Sequence, residues 1–115
     1  MVDVIIVGAG PAGLFAALEL SKSKAKVLVI DQGKDIPDRV CTMKNRGYCL
    51  HCDPCHIMCG VGGAGSYSDG LLNLHPNIGG DLKRLAGDNA WDLINEVDST
   101  FLGYISRVWR SKPGP

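Results

Sequence analysis

This sequence predicts an α/β fold that opens with a parallel strand–helix–strand unit. Three features predict it: an apolar, β-branched run at the start, a glycine-rich turn leading into a helical stretch, and a second apolar run closing on an acidic residue. The elements follow in that order along the chain. Val2 to Val7 ends at a glycine and reads as a strand of the kind buried on both faces of a parallel sheet. From Pro11 to about Lys22, Leu14, Phe15, Leu18 and Leu20 sit among alanines, with proline placed where the first turn of a helix tolerates it. Val27-Leu28-Val29-Ile30 is the second strand, closed by Asp31 and the turn-forming Gln32-Gly33-Lys34.

Residues 32–80 hold no sustained period of either kind. They carry every cysteine, many of the glycines and Pro37, Pro54 and Pro76, and read as a long ligand-shaped loop region with at most a helical turn or two. After Gly79-Gly80, residues 81–86 are expected to form a helical turn. A clearer amphipathic helix is predicted over Asn89 to Leu102, with Asp88 as its N-cap and an apolar stripe at Trp91, Ile94, Val97, Phe101 and Ile105. The tail Ser111-Lys112-Pro113-Gly114-Pro115 reads as disordered.

Composition bounds what such a chain does. With 45% apolar and 21% charged residues among 115, it is globular and large enough for one modest core. Twelve basic residues balance 12 acidic ones without a run of either sign, which argues against nucleic acid as a partner. No apolar stretch reaches the roughly 18 residues of a membrane span. The start lacks the basic flank and apolar h-region of a secretory signal, so a cytoplasmic location is expected.

The turn Gly8-Ala9-Gly10-Pro11-Ala12-Gly13 matches G-x-G-x-x-G, and its setting makes it informative: it follows a predicted strand, opens a predicted helix, and is followed by Asp31 at the tip of the next strand. Each glycine has a physical task. Gly8 permits the tight turn, Gly10 lets backbone approach a pyrophosphate, and Gly13 lets the helix pack on the strand. A pyrophosphate would sit at the helix N-terminus, where unpaired N–H groups favour an anion. Asp31, accepting from ribose hydroxyls, disfavours a 2′-phosphate, so FAD or NAD is expected before NADP. The fingerprint itself does not separate those two.

All five cysteines fall between Cys41 and Cys59, and Cys49, Cys52, Cys55 and Cys59 have the spacing C-x2-C-x2-C-x3-C of a ferredoxin cluster loop. Gly60 stands where such loops usually place proline, and the chain has no second motif. Three readings stand side by side: an iron–sulfur or zinc site with Cys41 as an extra ligand, a redox-active thiol pair near a flavin, and free cysteines packing as small hydrophobes. His51 and His56 lie within the segment and are read as polar loop residues before ligands. Gly60-Val61-Gly62-Gly63-Ala64-Gly65-Ser66-Tyr67-Ser68-Asp69-Gly70 is dense in glycine where no helix or strand asks for it, which suggests a second approach of backbone to the same ligand.

The fingerprint, Asp31 with Gly33-Lys34-Asp35 behind it, and the block from Cys52 through Gly70 together resemble the amino-terminal region of bacterial and archaeal FAD-dependent dehydrogenases with two dinucleotide-binding domains. The likeness runs over residues 2–102 and is carried mostly by the cysteine-plus-glycine block. It implies a Rossmann-like fold, FAD as cofactor, and NAD(P)H as a co-substrate of the complete protein. It also implies that Gly8, Ala9, Gly10, Pro11, Ala12, Gly13, Asp31 and Gln32 hold the ADP part, with Gly63, Ala64, Gly65 and Ser66 nearer the flavin.

Members of that family are several times longer. Residues 1–103 are therefore expected to be the N-terminal part of an FAD-binding domain, residues 104–115 a divergent or disordered tail, and the isolated chain to be inactive without a missing C-terminal portion. Two parallel strands and one crossover helix leave the far face of the sheet uncovered, and the stripe of the last helix with it. The expected activity is flavin-mediated hydride or electron transfer to a small-molecule substrate or electron carrier, with no catalytic residue named. A cysteine-ligated iron–sulfur or zinc module, and a simple NAD-binding domain, are the alternatives.

Overall fold

A computed structural model describes residues 1–109. The chain divides into two compact units, Met1–Gly70 and Leu71–Pro115.

The first unit is built on the predicted strand–helix–strand. β1 (Val4–Val7) and β2 (Val27–Ile30) pair in parallel with Val4 opposite Val27 and Val7 opposite Ile30. Their short length follows from what bounds them. Asp3 turns back to bond Lys26, its carboxylate accepting from the Lys26 N–H at 2.7 Å, and Gly8 ends β1 by donating to the Ile30 carbonyl at 2.7 Å. Between the strands runs α1 (Pro11–Ser21), with Pro11 in its first turn and Lys22 as its C-cap.

Side chains alternate across the sheet. Val4, Ile6, Val27 and Val29 are half-buried on one face, while Ile5, Val7, Leu28 and Ile30 are exposed on the other, Val7 to 80%. The expectation of strands buried on both faces is thus met on one face only, and the far face is uncovered as foreseen. A two-stranded sheet with one clad face has little area with which to offset chain entropy.

The loop region contains short elements: a 3-10 turn at Ile36–Asp38, α2 (Met43–Arg46) closed by Gly47, and a second 3-10 turn at Ala64–Tyr67. It also holds Arg39, a buried charged residue.

In the second unit, α3 (Leu82–Ala86) is the expected helical turn, and the Asp81 carboxylate accepts from the Arg84 N–H at 3.1 Å. Asp88 belongs to a 3-10 turn over Gly87–Asn89 and is not the helix cap predicted for it. α4 spans Ala90–Trp109, longer than the predicted 89–102. Gly103 costs a helix only about 1 kcal/mol, and one such residue does not end it. The expected disorder of residues 111–115 falls outside the described residues. Ala90 is buried and Ile94 and Val97 are half-buried, whereas Trp91, Phe101 and Ile105 stay exposed, so the apolar stripe is largely uncovered. Among the described residues no helix is long and apolar enough to cross a membrane.

Candidate functional site

The site grows out of the strand–turn–helix junction. Gly8 takes φ +101°, a left-handed conformation that side chains disfavour, and this reverses the chain between β1 and α1. Two further glycines have opposite surroundings. A methyl group built on Gly13 would lie 1.9 Å from the Gly8 carbonyl oxygen and 3.2 Å from Ile6 Cγ2, so the absent side chain is what lets α1 sit on β1. One built on Gly10 would meet nothing within 4 Å. The first glycine role is internal packing and the second is open approach from outside, as the fingerprint predicts.

Gly10 is the N-cap of α1 and supplies no side-chain cap, and Pro11 has no N–H, so the helix start presents its remaining backbone donors to solvent. That end of the helix attracts an anion. Ala9, just before it, is buried, and its N–H donates to Asp31 Oδ2 at 2.8 Å; Asp31 Oδ1 accepts from the Gly33 N–H, also at 2.8 Å. Asp31 therefore ties the glycine turn to the end of β2. The Gly33 and Ala9 N–H groups hold its carboxyl below the usual carboxylate range, so it is ionised at neutral pH. With about four lone-pair sites and three backbone N–H groups acting on it, the carboxylate retains capacity to accept from a ribose hydroxyl as well.

The second glycine segment returns to the first. The Gly62 N–H donates to the Ala9 carbonyl at 2.8 Å and the Val61 N–H to the Lys34 carbonyl at 3.1 Å, while a methyl on Gly63 would come within 3.3 Å of both Gly10 Cα and Pro11 Cδ. The result is a cleft of about 550 Å³ lined by Val7, Gly8, Gly10, Ile30, Asp31, Gln32, Met58, Cys59, Gly60 and Gly63. Of the residues expected to hold a nucleotide, Gly8, Gly10, Asp31, Gln32 and Gly63 line this cleft. Ala9, Pro11, Ala12 and Gly13 form the turn and helix start behind it. Ala64, Gly65 and Ser66 lie in the exposed 3-10 turn beyond Gly63 and are not among its lining residues.

The four cysteines do not gather. Cys49 and Cys52 are exposed, Cys55 and Cys59 half-buried, and all are free thiols. Among the described residues no three of His, Cys, Asp and Glu come together as a metal-holding group. Cys59 lines the cleft, and the Gln32 amide donates to its sulfur at 3.1 Å. Cys55 sits in the turn before it, where the Met58 and Ile57 N–H groups, with help from the Arg39 charge, hold its thiol below the usual range against the opposing effect of burial. His56 bonds the Val40 carbonyl through Nδ1 at 2.7 Å, a loop role.

The pyridine nucleotide-disulphide oxidoreductase family model matches residues 2–92 of the chain, from β1 into α4. The chain belongs to that family. Its βαβ unit is accordingly part of a Rossmann-like fold, and the resemblance noted from the sequence is upheld at the level of the family. A protein of Clostridium beijerinckii described only as uncharacterized is 39% identical over 70 residues, 59% of this chain and 13% of that protein. Digeranylgeranylglycerophospholipid reductase 3 of Methanosphaera stadtmanae is 60% identical over 35 residues, 30% of this chain and 9% of the reductase. The sarcosine oxidase subunit alpha of Corynebacterium sp. strain P-1 is 63% identical over 30 residues, 26% of this chain and 3% of the subunit. The chain thus spans a small part of the length of each of these relatives. No solved structure gives a significant match.

Sequence reasoning missed two residues at or beside this cleft: Met58, which lines it, and Arg39, whose guanidinium donates to carbonyls of the adjoining segment; Cys59, singled out as a candidate metal ligand, lies in the cleft wall. Met58 adjoins the glycine block, and that adjacency was the available signal. Arg39 stands in Pro37-Asp38-Arg39-Val40 without periodicity or motif.

Proposed function

We propose that this chain is the amino-terminal, FAD-binding portion of a flavin-dependent oxidoreductase, a dehydrogenase, in which the cleft holds the ADP half of the cofactor. The observation that carries the reading is the contrast at the fingerprint: Gly13 is closed off by backbone, while Gly10 faces open space at an uncapped helix start beside an ionised Asp31. Gly8, Gly10 and the start of α1 would receive the pyrophosphate, Asp31 the ribose, and Gln32, Met58 and Cys59 the base; Gly63 would lead toward the flavin. When bound, the flavin supplies acceptance of a hydride or an electron pair, and the chain's residues contribute position and electrostatics. FAD is favoured over NAD by the cysteine-plus-glycine block. The remainder of a longer protein would complete the sheet, admit NAD(P)H and the small-molecule substrate or electron carrier, and work in the cytoplasm without nucleic acid or membrane.

The test is FAD binding by the 115-residue chain, followed by visible absorption and by quenching of flavin fluorescence, with NAD as competitor. Saturable binding, weak because the two-stranded sheet is covered on one face only, is expected to vanish in Gly10→Val and to survive the double change Cys52→Ser with Cys55→Ser. Tight stoichiometric binding would overturn the view that the unit is incomplete. If Gly10→Val is silent, and anaerobic iron and sulfide instead give thiolate-to-iron absorption that the cysteine variant loses, the chain is a metal module.

A further inference from the structure

We propose that Arg39 is the positioning residue of the cleft: its buried guanidinium, and not a metal held by the cysteines, fixes residues 56–63 so that Gly62 and Gly63 lie against the Gly8–Gly10 turn. Its consequence for binding rests on the FAD reading above; the structural part does not.

Arg39 is only 4% exposed. Its Nε donates to the His56 carbonyl at 3.0 Å, Nη1 to Val61 at 2.6 Å, and Nη2 to both Ile57 at 2.6 Å and Gly63 at 2.9 Å. A buried cation demands compensation, and here four backbone carbonyls provide it. The Tyr67 ring stands 5.0 Å from its Cζ, adding a cation–π contact, and the Tyr67 hydroxyl donates to the Arg39 carbonyl.

The placement of the four acceptors gives the arrangement its effect. His56 and Ile57 lie on the cysteine side of the turn through Met58, Cys59 and Gly60; Val61 and Gly63 lie on the glycine side. The guanidinium draws the two limbs together, and the glycine limb then reaches Ala9 and Lys34 through the Gly62 and Val61 N–H groups. Gly60 is needed for the same reason: it takes φ +112°, and a methyl there would lie 2.8 Å from Arg39 Cδ. A lysine ammonium has three donors at a single point and lacks the planar fork, so it cannot serve all four carbonyls at once. In metal-bound cysteine loops a cation at the centre orders the chain; here the central cation is part of the chain.

The experiment is amide hydrogen exchange by NMR on the 115-residue chain, with FAD titrations beside it. The reporter amides are Val61 and Gly62. In Arg39→Met their exchange is expected to accelerate about tenfold or more, the equivalent of losing one charged hydrogen bond, while amides of the β1–β2 ladder keep their rates. Apparent FAD affinity falls in step, Arg39→Lys restores only part of both, and a chelator leaves the unaltered chain unchanged. Unaltered rates at Val61 and Gly62 in Arg39→Met would overturn the proposal, as would acceleration by chelator alone. Should Arg39→Met unfold throughout, Arg39→Lys and Tyr67→Phe decide: selective acceleration at those two amides supports the role, and wild-type rates in both refute it. If the unaltered chain binds no FAD while the exchange pattern holds, the cleft reading fails and the structural role of Arg39 stands.

Discussion

Replacing Gly13 and Gly10 by alanine, one at a time, separates packing from binding within a single turn. At Gly13 the new methyl lands 1.9 Å from the Gly8 carbonyl oxygen, and 3.1 Å from the Gly8 carbonyl carbon. Ordinary contact begins near 3.4 Å, so α1 must retreat from β1 by about 1.5 Å or the turn must deform. Neither obstacle is a flexible side chain. Forcing a group into a packed junction costs about 1–3 kcal/mol and sometimes more. Exchanging glycine for alanine inside a helix returns about 1 kcal/mol. A 1.9 Å approach to backbone puts the cost at the upper end of that range, so the expected balance is a loss of about 2 kcal/mol, a fall in thermal midpoint of roughly 10 °C for a chain of this size. Because the sheet has one clad face, loss of the cooperative transition altogether is the upper limit of the same effect.

Gly10→Ala is the control. Gly10 has φ −75° and ψ −179°, extended backbone open to any residue, and its methyl meets nothing. Stability should hold to within about 1 kcal/mol, the difference between glycine and alanine at an N-cap, while FAD binding is lost. The assay is thermal unfolding by circular dichroism for both variants, with FAD titration. Alanine is accepted at the third glycine of some related turns. If Gly13→Ala melts with the unaltered chain, the helix yields freely and the packing role assigned to Gly13 is wrong.

Three further outcomes are expected. Because Asp31 titrates lower in the folded chain than in the unfolded one, its contribution is present above the ordinary aspartate range and disappears as pH falls through the depressed folded value; Asp31→Asn should remove that part of the acid-unfolding limb, and superposable acid limbs would refute the clamp. Cys55 alkylation should follow a pH midpoint below the ordinary thiol value of about 8.5, and mass-spectrometric labelling across pH checks it; a midpoint at or above that value would remove the Met58 and Ile57 N–H groups as its cause. Gly33→Ala puts a methyl against the backbone of Cys59 and Gly60, so it should free the second glycine segment and weaken FAD binding while the β1–α1–β2 amides stay protected; unchanged exchange at Val61 and Gly62 would contradict this.

The strand–helix–strand was legible because each of its decisions is local. Val27–Ile30 is apolar between polar turns, Pro11 starts a helix by its own geometry, and Gly8 ends a strand by its own φ. Local rules were weaker in the second unit. Asp88 has the side chain of a cap, yet it falls inside a 3-10 turn, and the helix runs through Gly103 because one unfavourable residue does not outweigh its neighbours. The same locality bears on the second glycine segment. Its return to the first was inferred from glycine density; Gly63 lines the cleft, and Ala64, Gly65 and Ser66 follow in the 3-10 turn beyond it.

Arg39 was illegible for a different reason. Its partners are backbone carbonyls, which every residue carries, so no pattern of side chains 17 to 24 positions away marks them in the sequence. The cysteines are the opposite kind of signal: their spacing is a strong side-chain pattern, and it left a metal site, a redox thiol pair and simple packing open side by side. Spacing can propose a ligand set only if the chain between the ligands wraps around a point. Here the wrapping occurs one step later, over residues 56–63, around a guanidinium supplied from upstream. Cys59 then occupies the cleft wall because the turn places it there, with Gln32 across from it. A thiol at that wall, and one four residues earlier whose pKa is lowered by backbone N–H groups, are consequences of how the loop is tied, and this is why exchange at Val61 and Gly62 is a more telling measurement than metal content.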